Sequence, residues 1–163
     1  MVNVPVISLV GWSNTGKTTF LEKLIAELKS RGYRVGTIKH WHGDVEIDQP
    51  GKDTYRHAKA GADGVVIAGS NKVGLIRQTT EVWSLQKLVQ LLGDMDIIIT
   101  EGFKKEDTPK IEMYRHGVTT GPVVPSEKVV AVVSDIKMDR DVPVFDWNDS
   151  QGVADFIEHR FMR

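Results

Sequence analysis

One short motif constrains this chain more than any other feature of its sequence. Residues 11–18 read G-W-S-N-T-G-K-T and match the pattern G-x-x-x-x-G-K-[ST] in full. The motif follows Val4–Val10, an apolar β-branched run typical of a buried parallel strand, and it opens Thr18–Arg31, whose apolar residues recur at helical spacing. A strand, a glycine-rich turn and a helix in this order predict a P-loop within an α/β fold.

The spacing of the motif follows from the shape of a phosphate chain. Gly11 and Gly16 permit backbone torsions that a Cβ would hinder, so that successive N–H groups can point at one phosphate. Lys17 adds a positive charge near the β- and γ-oxygens, and the Thr18 hydroxyl is a hard ligand for Mg²⁺. We therefore expect a nucleoside triphosphate with Mg²⁺, held by Gly11, Ser13, Asn14, Thr15, Gly16, Lys17, Thr18 and Thr19.

A second acidic element follows a later apolar run. Glu101 comes directly after the segment I-I-I-T, whereas Asp96 precedes that segment and belongs at the opposite end of the predicted strand. P-loop proteins hold Mg²⁺ with a carboxylate at the end of a neighbouring strand. The sequence therefore predicts Glu101 as a metal-site residue, with a simple polar residue at a strand end as the alternative.

The loop after the second predicted strand is long and charged, which favours a function. Asp48 is a candidate to bind Mg²⁺ or to orient the attacking water, and Lys52 is a candidate to contact a phosphate. The alternative is a solvated charged loop. His40 and His42 precede this region, but their spacing is no strong zinc signature, so we interpret them as loop histidines.

The remaining pattern predicts one domain, residues 1–163, with the fold of a P-loop NTPase: a three-layer α/β sandwich with a mostly parallel sheet. Gly64–Ala68 and Lys72–Arg77 are predicted to form a β-hairpin excursion. Ile111–Arg115 is predicted to be an excursion strand between two loops. Further elements are predicted as strands at Tyr33–Lys39, Asp96–Thr100, Val129–Val133 and Pro143–Phe145, and as helices at Thr54–Ala60, Leu85–Leu92 and Gly152–Phe161.

Composition narrows the classes of function. The formal net charge of −1 provides no global attraction to nucleic acid or to an anionic membrane. The chain has no cysteine, which excludes disulfides and thiolate sites. Its apolar runs are too short to span a bilayer, and the N-terminal segment has no basic region of the kind that signal peptides carry. We therefore expect a cytoplasmic protein without nucleic-acid or membrane partners.

The chain resembles a known family along nearly its whole length. The P-loop is generic, but the elements D-x-P-G-K-D-T and E-G-F-K make the resemblance specific. In this order they are similar to the molybdopterin-guanine dinucleotide biosynthesis adapter protein B family, the MobB proteins. The residues that carry the resemblance are Gly11–Thr19, Ile38–His40, Asp48–Thr54, Ala60–Ala62, Glu101–Lys104 and Pro109–Ile111.

This resemblance implies several properties. The fold would be a P-loop sandwich of the signal-recognition and dimeric-ATPase type, and the ligand would be GTP, hydrolysed slowly. The role would be in molybdenum cofactor maturation, assisting the guanylyltransferase that attaches GMP to molybdopterin, in contact with other molybdopterin-handling proteins. Family members are homodimers, for which Lys110–Val124 and Lys72–Arg77 are our candidate contacts.

The chain departs from related patterns at two points. Val10 and Trp12 flank Gly11, so the extra lysine with which dimeric ATPases of the deviant P-loop type act across a dimer is absent. No N-K-x-D guanine motif is present, and Asp135 is the residue placed to accept hydrogen bonds from guanine. We therefore expect at most a slow GTPase, with Lys17, Asp48 and Glu101 as its catalytic residues.

Two other functions fit the P-loop. A P-loop kinase would phosphorylate a small molecule with ATP, but it needs an arginine-rich lid, and only Arg77 and Arg115 are available in the middle of the chain. An interaction module with a relic P-loop would not need Lys17 and Thr18, and both are present. A comparison of GTP and ATP binding separates these functions.

Overall fold

Parallel strands form the larger of two compact units. The computed structural model describes residues 4–162. Residues up to His40 and from Leu85 onward form the larger unit, and Trp41–Ser84 forms the smaller one. In chain order the elements are β1 (Val6–Gly11), α1 (Lys17–Ser30), β2 (Val35–Lys39), α2 (Asp53–Lys59), β3 (Gly64–Ala68), β4 (Val73–Arg77), α3 (Leu85–Gln90), β5 (Ile97–Glu101), β6 (Lys110–Tyr114), β7 (Val129–Ser134), β8 (Val144–Asp146) and α4 (Ser150–Phe161).

The sheet of the larger unit has the strand order β2-β5-β1-β6-β7-β8, and each pair in it is parallel. The carboxyl ends of its strands therefore share one edge, where α/β proteins bind ligands. Both faces of the central strands are covered, which explains their continuous apolar runs. Along β5, Ile97 and Ile99 pack with α1 and α4, while Ile98 packs on the other face with Ile38 and Leu85.

Helix α1 has well-defined ends and joins α4 through a charged cluster. It begins after Gly16, whose φ of 79° is left-handed, and it ends before Gly32, whose φ is 92°. Arg31 at its C-terminal end pairs with Glu27, Asp155 and Glu158. These ion pairs raise the pKa of Arg31 and tie the end of α1 to α4.

The smaller unit consists of a loop, α2 and the antiparallel hairpin β3–β4. Val65 in the hairpin is buried, and α2 packs against β3. Val66 pairs with Leu75 across the two strands, and both side chains are exposed. Val66 and Leu75 therefore lie on an apolar face of the hairpin that is open to solvent.

The predicted fold class is confirmed, with a parallel six-stranded sheet and a separate hairpin. One element was predicted wrongly: the excursion strand near Ile111–Arg115 is β6, a buried central strand that pairs with both β1 and β7. Lys110–Met113 are buried within the chain, so these four residues are not available for dimer contacts, while a contribution of the rest of Lys110–Val124 stays a prediction. The strand is short and lies between polar loops, so its sequence does not indicate a central position. The parallel pairing with β1 and β7 shows that position.

Three further predictions have different outcomes. That residues 1–163 act as one domain stays a prediction, and its two ends, residues 1–3 and 163, lie outside the described residues. The N-terminal segment was predicted not to be a signal peptide, and its first three residues also lie outside the described residues. Across residues 4–162, no helix combines the length and the apolar character needed to cross a membrane.

Candidate functional site

The P-loop adopts the conformation that a phosphate cradle requires. Asn14 and Gly16 have φ values of 61° and 79°, so the loop turns through left-handed residues into α1. A Cβ on Gly11 would lie 2.9 Å from the Met113 carbonyl oxygen and 2.9 Å from Thr15 Oγ1. Thr15 Oγ1 also donates to the Trp12 carbonyl oxygen at 2.8 Å. Close packing against β6 therefore fixes the loop and explains why position 11 is glycine.

Lys17 lies over the loop that it follows. Its Nζ donates to the carbonyl oxygens of Gly11 at 3.1 Å and Trp12 at 2.7 Å. Burial lowers the pKa of Lys17, and the Glu101 carboxylate opposes that effect. The ammonium group is thus held at the mouth of the P-loop, where phosphate oxygens can replace the two carbonyl oxygens.

Parallel register brings the predicted carboxylate to the P-loop. Glu101 pairs with Leu9 of β1 and with Lys39 of β2, and it is buried. The Thr18 hydroxyl donates to the Glu101 carboxylate at 3.2 Å and 3.3 Å, and Lys39 Nζ forms an ion pair with that carboxylate. Thr18 and Glu101 are therefore adjacent at the carboxyl edge of the sheet.

The fit of a magnesium ion can be judged from these oxygens. A threonine hydroxyl and a carboxylate beside the phosphate cradle suit Mg²⁺, which keeps several waters and needs few protein ligands. Among residues 4–162, no group of three or more His, Asp or Glu side chains is placed to hold a metal. The arrangement fits an ion shared with substrate phosphates, with Thr18 as a ligand and Glu101 binding through water. Lys39 is the cation already beside that carboxylate.

The turn after β5 is shaped by left-handed residues and a buried lysine. Gly102 and Phe103 have φ values of 95° and 55°. The Lys110 side chain is fully buried, and its Nζ donates to the carbonyl oxygens of Phe103 at 3.2 Å and Glu106 at 2.7 Å, and to Thr108 Oγ1 at 2.7 Å. Burial lowers the pKa of Lys110. Lys110 thus closes the turn that carries Glu101.

Other side chains meet the P-loop on its β6–β8 side. Trp12 Nε1 donates to the Gly121 carbonyl oxygen at 2.8 Å, and an Arg115 nitrogen donates to the Asn14 carbonyl oxygen at 3.4 Å. The Arg115 guanidinium lies 5.1 Å from the centroid of the Trp147 ring. Residues from β6, from the loop after it and from the loop after β8 therefore line this side.

The chain matches a family model over residues 6–135, that of MobB, molybdopterin guanine dinucleotide synthesis protein B. This match spans most of the chain and includes the P-loop, Glu101 and Lys110. The chain belongs to the MobB family. It is 41% identical over 160 residues to a molybdopterin-guanine dinucleotide biosynthesis adapter protein of Escherichia coli, covering 94% of this chain and 91% of that protein.

Other MobB proteins show the same relationship. An adapter protein of the same name from Haemophilus influenzae is 37% identical, covering 96% of this chain and 89% of its own length. The crystal structure of Bacillus subtilis MobB superimposes with a TM-score of 0.73 at 26% identity, covering 95% of this chain and 96% of that one. A molybdopterin-guanine biosynthesis protein B structure gives 0.72 at 28% identity, covering 94% and 98%.

The predicted site residues of this MobB-family chain fall into two groups. The P-loop residues and Glu101 lie together in the larger unit. Asp135, directly after β7, lies at the same sheet edge, and its Oδ1 accepts from the His116 backbone N–H at 2.8 Å. Asp48 and Lys52 belong to the smaller unit, where Lys52 precedes the first residue of α2. Asp48 Oδ1 accepts from the Gln49 backbone N–H at 2.8 Å.

Three residues near the P-loop were not predicted as site residues. Lys39 stood within a quoted motif, but its pairing with Glu101 depends on the β2–β5 register. Arg115 was considered only as a lid residue of a kinase, and its contact with Asn14 requires β6 to lie beside β1. Trp147 had no sequence signal, because it reaches Gly16 only through the position of β8 at the sheet edge.

Proposed function

We propose that this MobB-family chain is a GTP-binding adapter with at most slow GTPase activity, which assists molybdopterin guanine dinucleotide biosynthesis. The observation that carries the proposal is the complete P-loop beside an acidic partner, with Lys17 at its mouth and Thr18 bonded to Glu101. The names of the relatives supply the pathway, since they are adapter proteins of that biosynthesis. The cytoplasmic location stays a prediction.

Each residue of the proposed site has one task. The backbone amides of Gly11, Ser13–Gly16 and the first turn of α1, including Thr19, bind the phosphates. Lys17 neutralises charge on the β- and γ-oxygens. Thr18 and Glu101 would hold Mg²⁺, directly and through water. The ion would stabilise the negative charge of the phosphates.

Asp48 and Lys52, which belong to the smaller unit, stay proposed site residues. Asp48 Oδ2 is buried and, within residues 4–162, has no hydrogen-bond partner. A buried carboxylate oxygen without a donor costs free energy, and a cation or an ordered water would satisfy it. This supports Asp48 as a residue that binds Mg²⁺ through water or orients the attacking water. Lys52 stays a proposed phosphate contact.

Slow turnover is part of the proposal. Val10 and Trp12 flank Gly11, so no lysine is present at the positions from which dimeric ATPases act across a dimer. Arginine or lysine groups that reach the transferring phosphoryl group provide much of the rate in fast nucleotide hydrolases. A site with Lys17 but without this additional lysine is expected to retain GTP and hydrolyse it slowly.

Guanine preference is assigned to Asp135. Its Oδ1 is engaged by the His116 N–H, and the second carboxylate oxygen is able to accept from guanine N1 and N2. The expected partners are the guanylyltransferase and other molybdopterin-handling proteins. A homodimer is supported by the exposed apolar face of the hairpin, formed by Val66, Val73 and Leu75.

The adapter role is tested by mixing the chain with the guanylyltransferase of the same organism. In analytical ultracentrifugation we expect a complex with GTP and Mg²⁺ present, and faster GMP transfer to molybdopterin when the chain is added. Lys17→Ala should lower both effects, and Lys105→Ala, at an exposed lysine, serves as the matched control. An unchanged transfer rate together with no complex would reject the adapter role.

A further inference from the structure

The placement of the proposed magnesium site fixes the direction of a bound nucleotide. Thr18, Glu101 and Lys39 lie on the β5–β2 side of β1, where Thr18 and Glu101 would hold a Mg²⁺ ion shared with the terminal phosphates. The γ-phosphate therefore lies on that side. The α-phosphate and the nucleoside must leave the P-loop toward β6, β7 and β8, on the other side of β1. This step rests on the function proposed above.

Trp147 lies against the P-loop on the nucleoside side. A Cβ built on Gly16 would lie 2.4 Å and 2.5 Å from two atoms of its six-membered ring, so the edge of the indole rests on the P-loop. Arg115 lies over the same ring and donates to the Asn14 carbonyl oxygen. The half-buried indole thus forms a wall that continues the phosphate cradle.

The segment that carries Trp147 is anchored at three points. The Trp147 backbone N–H donates to the Ser134 carbonyl oxygen at 3.1 Å. Lys23 of α1 donates to Asn148 Oδ1 at 3.0 Å, and Asp149 caps α4 by accepting from the Gly152 N–H at 2.8 Å. A wall held by β7, α1 and α4 is preorganised, which reduces the entropy lost when a ligand stacks on it.

We propose that Trp147, supported by Arg115, is a nucleoside-binding residue that contacts the purine or ribose of the nucleotide whose phosphates occupy the P-loop. Trp147 lies outside residues 6–135, the part of the chain that matches the family model. Every purine has an aromatic face, so stacking adds affinity without selecting the base. Trp147 is therefore distinct in role from Asp135, which is proposed to select guanine.

The experiment compares nucleotides with a ligand that has no nucleoside. Calorimetric titrations with GTP, ATP and inorganic tripolyphosphate, each with Mg²⁺, are carried out on the parent chain, Trp147→Leu, Trp147→Phe and Arg115→Ala. Trp41→Leu is the matched control, because Trp41 is exposed and belongs to the smaller unit. Thermal melts of each variant monitor folding.

We expect Trp147→Leu to weaken the binding of GTP and ATP roughly 5- to 100-fold, the range of one lost base–aromatic contact. Tripolyphosphate binding should stay within about twofold of the parent, because the phosphate contacts are intact. Trp147→Phe should retain most of the nucleotide affinity. Arg115→Ala should lose less nucleotide affinity than Trp147→Leu, and it should also leave tripolyphosphate binding unchanged. Trp41→Leu should match the parent for all three ligands.

Three results would overturn the inference. An equal loss for GTP and tripolyphosphate in Trp147→Leu would mean that the indole only supports the P-loop. Unchanged GTP affinity in Trp147→Leu would mean that the nucleoside does not contact it, while the proposed GTP binding would stand. If the parent bound tripolyphosphate but no nucleotide, the proposed function itself would fail together with the inference.

Discussion

At the scale of single residues, Glu101 contacts both the P-loop helix and strand β2. Its carboxylate accepts from Thr18 and pairs with Lys39, and β-sheet register holds it beside the P-loop. A carboxylate that binds Mg²⁺ through water affects catalysis more than it affects the binding of phosphates, which the loop amides and Lys17 provide. Glu101 is therefore proposed to support hydrolysis more than retention of GTP.

Replacing Glu101 by glutamine tests this role while keeping the size of the side chain. We expect Glu101→Gln to lower the rate of Mg²⁺-dependent phosphate release in a single turnover by roughly 10- to 100-fold. This is the usual loss of activity when a residue that contacts a metal only indirectly is replaced. GTP affinity should fall much less. Glu106→Gln, at an exposed position of the next turn, is the control. Equal hydrolysis rates in Glu101→Gln and the parent would remove Glu101 from the site.

Residue-level prediction from sequence succeeded where a motif fixes local geometry. The left-handed Gly16, the Thr18 hydroxyl and the strand-end position of Glu101 all follow from local pattern and from the parallel sheet that it implies. Lys39 and Trp147 could not be predicted in the same way. Their contacts depend on strand register and on the order of strands in the sheet. Neither property can be predicted from a short stretch of sequence.

At the scale of elements, the turn between β5 and β6 depends on one buried lysine. Lys110 donates three hydrogen bonds within residues 103–108 and is fully buried. Lys110→Met should leave these acceptors without a donor and lower the free energy of unfolding by about 1–3 kcal/mol. Backbone amides of residues 103–108 should exchange hydrogen faster, because the turn opens more often.

The exposed Lys105 provides the control for this element, since Lys105→Met removes a lysine from the same turn without removing a buried donor. Denaturant unfolding measures the stability, and hydrogen exchange followed by mass spectrometry locates the change. Equal protection of residues 103–108 in Lys110→Met and Lys105→Met would show that Lys110 does not hold the turn.

The opposite end of the sheet contains a pH-sensitive contact between β2 and β5. Asp96 accepts from the Arg34 guanidinium at 2.8 Å and from its backbone N–H at 2.7 Å. These hydrogen bonds lower the pKa of Asp96 from its ordinary 3.8 to about 2. Since the folded-state pKa is depressed, the contact stabilises the fold above the ordinary pKa and is lost as pH falls toward 2.

Asp96→Asn should therefore be less stable than the parent at neutral pH, and the difference should shrink as the pH falls from about 4 to about 2. Urea unfolding at a series of pH values measures it. Asp94→Asn replaces an exposed carboxylate two residues earlier, and its stability difference from the parent should not shrink over this pH range. A stability difference that stays constant across this range would contradict the assigned pKa shift.

Most helices and strands could be predicted from sequence patterns, but the position of one strand in the sheet could not. The strands and helices were predicted within a few residues of their bounds, because their apolar periodicity matches their burial. Strand β6 was predicted as an excursion because it is short and lies between polar loops. Its role at the centre of the sheet comes from pairing with β1 and β7, a long-range interaction that local sequence does not specify.

At the scale of the whole molecule, the hairpin face is the feature that supports self-association. Val66, Val73 and Leu75 are 62%, 68% and 46% exposed, and they lie on the same face of β3–β4. Exposed apolar clusters of this kind mark interaction surfaces. We expect the parent to be a homodimer in light scattering with size-exclusion chromatography, and Val66→Glu with Leu75→Glu to be monomeric.

The control for this prediction changes charge on the same hairpin without changing its apolar face. Asn71→Glu alters an exposed residue of the turn between β3 and β4 and should leave the dimer intact. A dimer that survives the Val66→Glu and Leu75→Glu double variant, with unchanged circular dichroism, would place the dimer contact elsewhere on the chain.

Binding of GTP with Mg²⁺ at the P-loop underlies every function proposed for this chain. Isothermal titration of the parent and of Lys17→Ala with GTP and with ATP tests it directly. We expect the parent to bind GTP more tightly than ATP. Lys17→Ala should lose at least about 30-fold in GTP affinity, since removing one partner of a desolvated charge pair costs ~2 kcal/mol or more. No GTP binding by the parent, or equal GTP affinity in Lys17→Ala, would contradict the account.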